Sequence, residues 1–193
     1  DASEVGDVAE ALLKADNPVI SAGQGCLYAE AWDELQEIAE LLQAPVSTTM
    51  PGKSGFPEDH PLSLGASAVS HTKQTSQFMN QADLVFAIGT SLTRTNYGYT
   101  IPDGKTMVHS TNDPSDVNKD YQTDYSLIGD SKLVLQALID VIKERTGGRG
   151  HRDSRDVAPA VQKVRKEWLD EWMPQLTSSE TPINQYRIIW DLM

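Results

Sequence analysis

One uninterrupted apolar run constrains the fold of this chain more than any other feature. The segment "ADLVFAIGT" (82–90) carries five consecutive apolar residues before Gly89 ends the run. Strands that are apolar on both sides are typical of a parallel sheet whose two faces are covered by helices. The run therefore predicts an α/β fold built around a buried sheet.

The rest of the chain repeats this alternation of strand and helix. Short apolar runs that end in Gly, Ser, Thr or Asp predict further strands over 18–22, 44–49, 62–66, 105–111 and 124–130. Apolar residues at helical spacing predict helices over 4–15, 30–42, 71–81 and 131–145. Strands that alternate with helices predict a three-layer, Rossmann-like domain with a parallel sheet of about six strands.

The composition changes near residue 147. The segment "GGRGHRDSRD" (147–156) is expected to be an exposed linker. A helical stripe with two tryptophans follows, formed by Val157, Val161, Val164, Trp168 and Trp172. Thr181 before Pro182 predicts the start of a last helix. We therefore predict a Rossmann-like domain over 1–147, and a linker with a helical tail over 148–193.

Composition and charge exclude several classes of function. The net charge of -12 and the lack of a basic stripe argue against nucleic acid and against an anionic membrane surface. No apolar run approaches the roughly 20 residues that span a bilayer. The single cysteine, Cys26, excludes a disulfide framework and a multi-cysteine zinc site. One thiol fits a reducing, cytoplasmic environment.

The sequence predicts neither a catalytic set nor a metal site. The four histidines share no metal-ligand spacing, and neither a nucleophile elbow nor a Walker loop is present. Cys26 lies at a helix start, where a thiol pKa can fall, but no base is near in sequence and a packing role is favoured. The chain starts without methionine and stops within an apolar stretch, so we expect a piece of a larger polypeptide.

Three segments are candidates for binding a nucleotide. In "AGQGCLYAE", Gly23 and Gly25 form a strand-to-helix turn of the kind that can face a phosphate, but Tyr28 stands where a dinucleotide fingerprint has its third glycine. A tyrosine there is expected to crowd the approach of the helix to the strand. The alternative is that the two glycines only permit a tight turn.

The second and third candidates follow two later strands. Thr90, Ser91 and Arg94 come directly after the run that Gly89 ends, and their donors suit a pyrophosphate or a ribose. An ordinary polar turn is the alternative there. Asn112 and Asp113 follow the strand at 105–111, where a carboxylate can hold ribose hydroxyls. The alternative for Asp113 is that it caps a turn before Pro114.

The order of these motifs resembles the central domain of thiamine-diphosphate-dependent enzymes of the acetolactate synthase group. The resemblance begins at "NPVISAGQGCLYAE", continues through "APVSTTMPGKSGFPEDHPLSLG" and "ADLVFAIGT", and covers roughly residues 3–145. The segment "TPINQYRIIWDL" is similar to the opening helix of the cofactor-bearing domain that follows in that family.

The resemblance implies a parent enzyme that acts on 2-oxo acids and forms a homo-oligomer. In such enzymes this domain lies between two flanking domains that bind thiamine diphosphate and magnesium. The catalytic glutamate and the magnesium motif of the family belong to those flanking domains, and here Gly129-Asp130 is followed by Ser131. The resemblance therefore implies that this chain alone is inert.

Some members of the family bind FAD in this domain, some bind ADP, and some bind nothing. The resemblance places the nucleotide crevice at Gly23, Gly25, Gly65, Gly89, Thr90, Ser91, Arg94, Asn112, Asp113 and Asp130. The flavin pattern usually has an arginine where this chain has Ser91, and Arg94 can replace it only if its loop turns back. The sequence argues against tight FAD binding and leaves ADP or an empty, vestigial site open.

Two other classes remain as alternatives to the resemblance. A stand-alone NAD-dependent enzyme on a Rossmann-like fold, such as a sirtuin-like deacylase, usually carries a four-cysteine zinc module, which one cysteine excludes. A flavoprotein electron carrier would need a firmly held flavin. Fold alone decides neither.

Overall fold

Strands and helices alternate along most of the chain in the computed structural model, which describes residues 2–192. The helices of this part of the chain are α1 (Ala2–Lys14), α2 (Gln24–Tyr28), α3 (Trp32–Leu42), α4 (Lys73–Gln81), α5 (Ser131–Thr146), α6 (Ala158–Leu176) and α7 (Gln185–Asp191). The strands are β1 (Pro18–Ala22), β2 (Val46–Thr49), β3 (Ser63–Ser67), β4 (Leu84–Ile88), β5 (Thr106–Thr111) and β6 (Tyr125–Ile128). A short 3-10 turn follows β5 at Pro114–Asp116.

All six strands form one parallel sheet in the order β3-β2-β1-β4-β5-β6. On β1, Ile20 pairs with Val46 on one side and with Phe86 on the other. The strand order reverses between β1 and β4, and ligands of doubly wound sheets bind at the carboxyl ends of the strands at such a point. The α/β fold and the six-stranded sheet predicted from the sequence are confirmed.

Helices cover both faces of the sheet. On one face α1, α3 and α5 pack against it, with Leu12, Ile38 and Leu135 fully buried. On the other face α4 and the first half of α6 form a second cluster, which includes Met79 and Val161. The strands β1 and β4 are buried along their whole length, as the apolar run at 82–90 predicts.

The ends of α5 follow the capping rules. The Asp130 carboxylate accepts hydrogen bonds from the backbone N–H groups of Lys132 and Leu133 at 3.0 and 3.2 Å. At the other end, Gly147 adopts a left-handed conformation with φ +62°, which glycine takes without steric cost. The helix agrees with the one predicted over 131–145 to within one residue at each end.

The turn after β1 differs from the sequence-based expectation. A separate five-residue helix, α2, follows the turn, and α3 begins only at Trp32. Because α2 ends at Tyr28, this side chain projects into solvent with 79% of its surface exposed, and its hydroxyl accepts a hydrogen bond from Gln24. The expectation that Tyr28 would crowd the helix against the strand is wrong.

The segment 147–156 is mostly exposed, but it is fixed to the first layer of helices. The ring nitrogen Nε2 of His151 donates to the carbonyl of Leu13 at 2.9 Å, and Arg155 donates to the carbonyl of Ala15 at 2.7 Å. The backbone N–H of His151 also donates to Leu41. The segment therefore holds α6 in a defined place beside the sheet.

The last helix begins later than the sequence suggested. Asn184 caps α7 by accepting the backbone N–H of Tyr186 at 2.9 Å, so the predicted start at Thr181 is wrong. The Trp172 ring meets the Tyr186 ring edge-to-face with centroids 5.2 Å apart, which joins α7 to α6. Four apolar residues at this end of the chain are exposed: Ile183, Ile188, Ile189 and Leu192.

Candidate functional site

Two adjoining cavities lie at the carboxyl ends of the central strands, and together they form one crevice. Their volumes are about 380 and 450 Å³. Thr49, Pro51, Thr90 and Ser91 line both, so the two are continuous at the ends of β2 and β4. The smaller cavity is mainly apolar and the larger mainly polar, which gives the crevice two chemically distinct ends.

Glycine backbone forms the floor of the crevice. A methyl group built at Gly25 would lie 2.7 Å from the Cα of Gly89, and one built at Gly89 would lie 2.7 Å from the Cys26 nitrogen. A methyl group at Gly23 would overlap the Gly89 carbonyl oxygen. Gly89 also has φ +64°. The turn after β1 and the end of β4 therefore touch backbone to backbone, which only glycine permits.

Hydrogen bonds bind these backbones together. The N–H of Gly23 donates to the carbonyl of Ile88, and the N–H of Gly25 donates to the carbonyl of Gly89, both at 2.8 Å. The N–H of Gly89 in turn donates to the carbonyl of Ser110 at 2.9 Å. The amides of both glycines in the turn are thus used inside the fold, in agreement with the tight-turn alternative.

The polar cavity brings together six of the residues predicted as a site: Gly25, Gly89, Thr90, Ser91, Asn112 and Asp130. It also contains residues that the sequence reasoning missed: Gln24, Tyr28, Thr111, Asp116 and Ser131. Asp116 follows β5 by five residues, and Ser131 directly follows Asp130, the cap of α5. The rule that ligands meet the carboxyl ends of parallel strands would have found both.

The other predicted residues lie outside the polar cavity. Gly23 packs beneath it against Gly89, as described above. Gly65 has φ +84° on the outer strand β3 and lines a separate cavity beside Trp168. The Asp113 carboxylate accepts the hydroxyl and the backbone N–H of Ser115, and these bonds lower its pKa. Asp113 therefore caps the turn after β5, which was the alternative given for it.

Arg94 lies outside the polar cavity. Its guanidinium lies over the Tyr121 ring, 4.3 Å from the centroid, and 3.8 Å from the Asp103 carboxylate. The backbone N–H of Arg94 donates to Asp120 at 2.8 Å. Arg94 is therefore not among the residues that line the polar cavity, although Thr90 and Ser91 of the same loop are.

His109 supports the crevice from below and was not singled out by the sequence. It is fully buried on β5, and its Nε2–H donates to the carbonyl of Thr90 at 2.8 Å. Burial lowers the pKa of His109 because the charged imidazolium loses its hydration. A neutral His109 thus fixes the backbone of Thr90, which lines both cavities.

Cys26 is a packing residue, as the sequence analysis favoured. The side chain is buried beneath the turn, and its Sγ lies 3.6 Å from the carbonyl oxygen of Ile88. Burial raises the pKa of the thiol to about 11, so the nucleophilic thiolate is scarce near neutral pH.

The lining of the apolar cavity includes three tyrosines and two methionines. These are Tyr97, Tyr99, Tyr121, Met50 and Met79, and Leu92 and Ile101 also line the cavity. Within residues 2–192, no three His, Cys, Asp or Glu side chains converge on a possible metal position. No helix in that part of the chain has the length and apolar character to cross a membrane.

The fold and crevice define a class. A parallel sheet in the order 3-2-1-4-5-6, covered on both faces and opened by a crevice at its switch point, is a doubly wound domain of the nucleotide-binding type. Within that class, residues 5–138 match the family described as "Thiamine pyrophosphate enzyme, central domain". The chain belongs to this family, which confirms the resemblance found in the sequence.

The names of similar proteins agree with this family. The chain is 30% identical over 200 residues to a probable acetolactate synthase large subunit of Methanocaldococcus jannaschii, an alignment that covers 98% of this chain and 31% of the relative. It is 33% identical over 136 residues to the acetolactate synthase large subunit of Buchnera aphidicola, covering 69% of this chain and 24% of the relative. The chain thus spans less than a third of the length of these relatives.

Solved structures give the same result. A thiamin diphosphate-dependent enzyme from Mycobacterium smegmatis superposes with a TM-score of 0.61 and 32% identity, covering 73% of this chain and 28% of the other. Benzoylformate decarboxylase from Polynucleobacter necessarius also gives a TM-score of 0.61, with 31% identity, covering 73% of this chain and 27% of the other.

Proposed function

We propose that this chain is the middle part of a longer, cytoplasmic thiamine-diphosphate-dependent enzyme that condenses or decarboxylates a 2-oxo acid in the manner of acetolactate synthase. The family match over residues 5–138 carries this proposal. The names of the relatives and of the solved structures support the reaction class, since they include acetolactate synthase and benzoylformate decarboxylase.

The proposed role of the domain is to hold its neighbours in register. The exposed isoleucines and leucine of α7 and the segment before it support this role, because a further domain that follows in the chain would cover them. The anchored segment 147–156 supports it as well, since it fixes the direction in which the chain leaves the sheet. Assembly of the parent into a homo-oligomer is part of the same proposal.

Thiamine diphosphate and magnesium do not fit the residues of this chain. Asp130, which follows Gly129 as in the magnesium motif, is engaged as the cap of α5, and among the described residues no three His, Cys, Asp or Glu side chains converge on a metal position there. When bound in the parent, thiamine diphosphate would supply the electron sink for the carbanion formed from a 2-oxo acid. We assign its binding to the flanking domains.

The FAD or ADP predicted for the crevice is an alternative that we do not favour. The position of the crevice at the switch point supports a nucleotide. The amides of Gly23 and Gly25, the cap Asp130 and the direction of Arg94 all argue against one. We therefore favour a vestigial nucleotide site in a domain whose role is structural.

A decarboxylation assay tests the proposed function. The full-length polypeptide that contains this chain is purified, stripped of cofactor, and given pyruvate, 2-oxobutyrate or benzoylformate with and without thiamine diphosphate and Mg²⁺. We expect release of CO₂ from at least one 2-oxo acid, dependent on thiamine diphosphate. The 193-residue chain under the same conditions is the control and should release none. Full-length protein that releases no CO₂ from any 2-oxo acid would overturn the proposal.

A further inference from the structure

We infer that the crevice excludes diphosphate nucleotides, FAD, ADP and NAD alike, because the chain itself occupies the backbone donors that would anchor a diphosphate and no cationic side chain among the described residues lines the polar cavity. The inference rests on the proposed function only in treating this domain as one of nucleotide-binding type. Three anchors are available in such a fold: the amides of the turn after β1, the N-terminus of a long helix, and a cationic side chain.

The first anchor, the backbone amides of the turn after β1, is already used for hydrogen bonds in the floor of the crevice. Gly23 and Gly25 donate their N–H groups to the carbonyls of Ile88 and Gly89, at 2.8 Å in both cases. A phosphate could take these donors only by breaking the bonds that join β1 to β4. The helix that follows, α2, has five residues, and its summed dipole is too small to attract an anion by itself.

The second anchor, the N-terminus of a long helix, is already capped by Asp130. Of the helices whose first turn borders the polar cavity, α5 is the long one, with sixteen residues, and its positive end would attract a phosphate. The Asp130 carboxylate already accepts the N–H groups of Lys132 and Leu133 there. A diphosphate at this end would meet the negative charge of Asp130 instead of free donors.

The cationic anchor is missing from the polar cavity. None of the described residues that line it is a lysine or an arginine, and two of them, Asp116 and Asp130, carry carboxylates. Lys119 lies outside the lining, and its ammonium is paired with the Asp116 carboxylate at 2.8 Å. Arg94 is held over Tyr121, as described above.

What remains for a diphosphate is a set of hydroxyls beside two carboxylates. Thr90, Ser91, Thr111 and Ser131 can each donate one hydrogen bond. Hydrogen bonds between a neutral donor and a phosphate do not neutralise its charge, and like charges in a partly enclosed cleft repel more strongly than in water. The crevice thus excludes the diphosphate because of its negative charge. A cationic side chain added to the lining should therefore allow a diphosphate to bind.

A gain-of-binding experiment tests this inference. Ser91 lines the cavity and is exposed, so Ser91→Arg adds a guanidinium there without disturbing the core. Ser91→Gln is the matched control, because it adds length without charge. ADP binding is measured by titration calorimetry in EDTA, which removes metal ions that could bridge phosphate to Asp116. A thermal melt of each variant verifies that it is folded.

We expect no saturable ADP binding to the unchanged chain or to Ser91→Gln up to about 1 mM, and binding to Ser91→Arg that is at least about tenfold tighter, the effect of one charge-assisted hydrogen bond. Micromolar ADP binding by the unchanged chain would overturn the inference. So would equal binding by Ser91→Arg and Ser91→Gln, because shape instead of charge would then exclude the nucleotide.

A second variant keeps the test decisive if Ser91→Arg does not fold. Asp116→Asn removes one carboxylate from the lining and releases the Lys119 ammonium, and Asp140→Asn makes the same charge change on the exposed side of α5. We expect ADP binding to improve in Asp116→Asn only. Equal binding by the two variants contradicts the inference. Neither result touches the decarboxylation assay, so failure here leaves the proposed function standing.

Discussion

The glycine floor of the crevice and the pair of C-terminal helices, α6 and α7, are packed in opposite ways. In the floor, Gly23, Gly25 and Gly89 bring three stretches of backbone into contact with no side chain between them. In the helical pair, the Trp172 ring of α6 meets the Tyr186 ring of α7 edge-to-face, and several isoleucines stay in solvent. The floor is complete within this chain, whereas the helical pair has apolar surface left over.

This difference predicts which of the two regions tolerates substitution. Close packing makes the floor intolerant of even one methyl group, since the surrounding backbone cannot move aside. Partial burial makes α7 tolerant, because a half-exposed side chain leaves no sealed cavity when it is shortened. Function of the two regions differs in the same way: the floor shapes the crevice, and the helical pair offers a surface.

The largest effect is expected for Gly89→Ala. The new methyl group would meet the Cys26 nitrogen at 2.7 Å, and φ +64° is strained for alanine, so we expect a loss of about 4 kcal/mol in the free energy of unfolding. Urea denaturation measures it. Gly104→Ala, with φ +80° in open space, isolates the backbone strain and should cost only about 1 kcal/mol. Equal losses for the two variants would mean that the floor is not closely packed.

A matched pair of isoleucines compares the sheet core with α7. Ile38→Ala empties a fully buried position on α3 and should cost about 3 kcal/mol, while Ile189→Ala, at 59% exposure, should cost less than about 0.5 kcal/mol. Denaturant midpoints of the two variants measure the difference. A large loss for Ile189→Ala would show that α7 is buried in solution, for instance in a dimer.

Truncation locates the end of the stable unit. A chain that ends at residue 178 lacks α7 and should lose less than about 1 kcal/mol. A chain that ends at residue 156 also lacks α6 and leaves the sites of Val161 and Val164 uncovered, which should cost about 3 kcal/mol. Thermal or urea unfolding of both fragments measures how much stability each one has lost. Equal stability of the fragments would favour the boundary at residue 147 that the sequence predicts.

A smaller effect is expected from acidification between pH 7.5 and 5.5. Burial lowers the folded-state pKa of His109 below its ordinary value of 6.5, so below that pH the unfolded chain binds the extra proton and the free energy of unfolding falls. His109→Gln should flatten this pH dependence, measured by melting at several pH values. His71→Gln, at an exposed histidine, is the control. If His109→Gln leaves the pH dependence of the free energy of unfolding unchanged, other groups cause the effect.

The smallest effect is expected at Cys26. Burial under the turn and a thiol pKa of about 11 should prevent reaction with a thiol reagent at pH 8 in the native chain, and full reaction should appear in denaturant. Absorbance of the released chromophore follows both reactions. Rapid stoichiometric labelling of native protein would mean that the floor opens readily, contrary to the close packing seen there.

The sequence by itself determined the order and kind of most elements. The apolar run at 82–90 predicts a strand buried on both faces, and β4 is one. Asp130 and Gly147 mark the ends of α5, because capping depends on residues that are adjacent in the chain. The family resemblance rests on the same local motifs, and the match over residues 5–138 confirms it.

The tertiary structure decided how the polar groups of the crevice are used. Whether the Gly25 amide faces a ligand or the Gly89 carbonyl depends on contact between segments about sixty residues apart. The direction of Arg94 depends on Tyr121 and Asp103, and the burial of His109 depends on the helices that cover β5. Sequence spacing carries local geometry, but a hydrogen-bond partner distant in the chain is fixed only when the strands assemble.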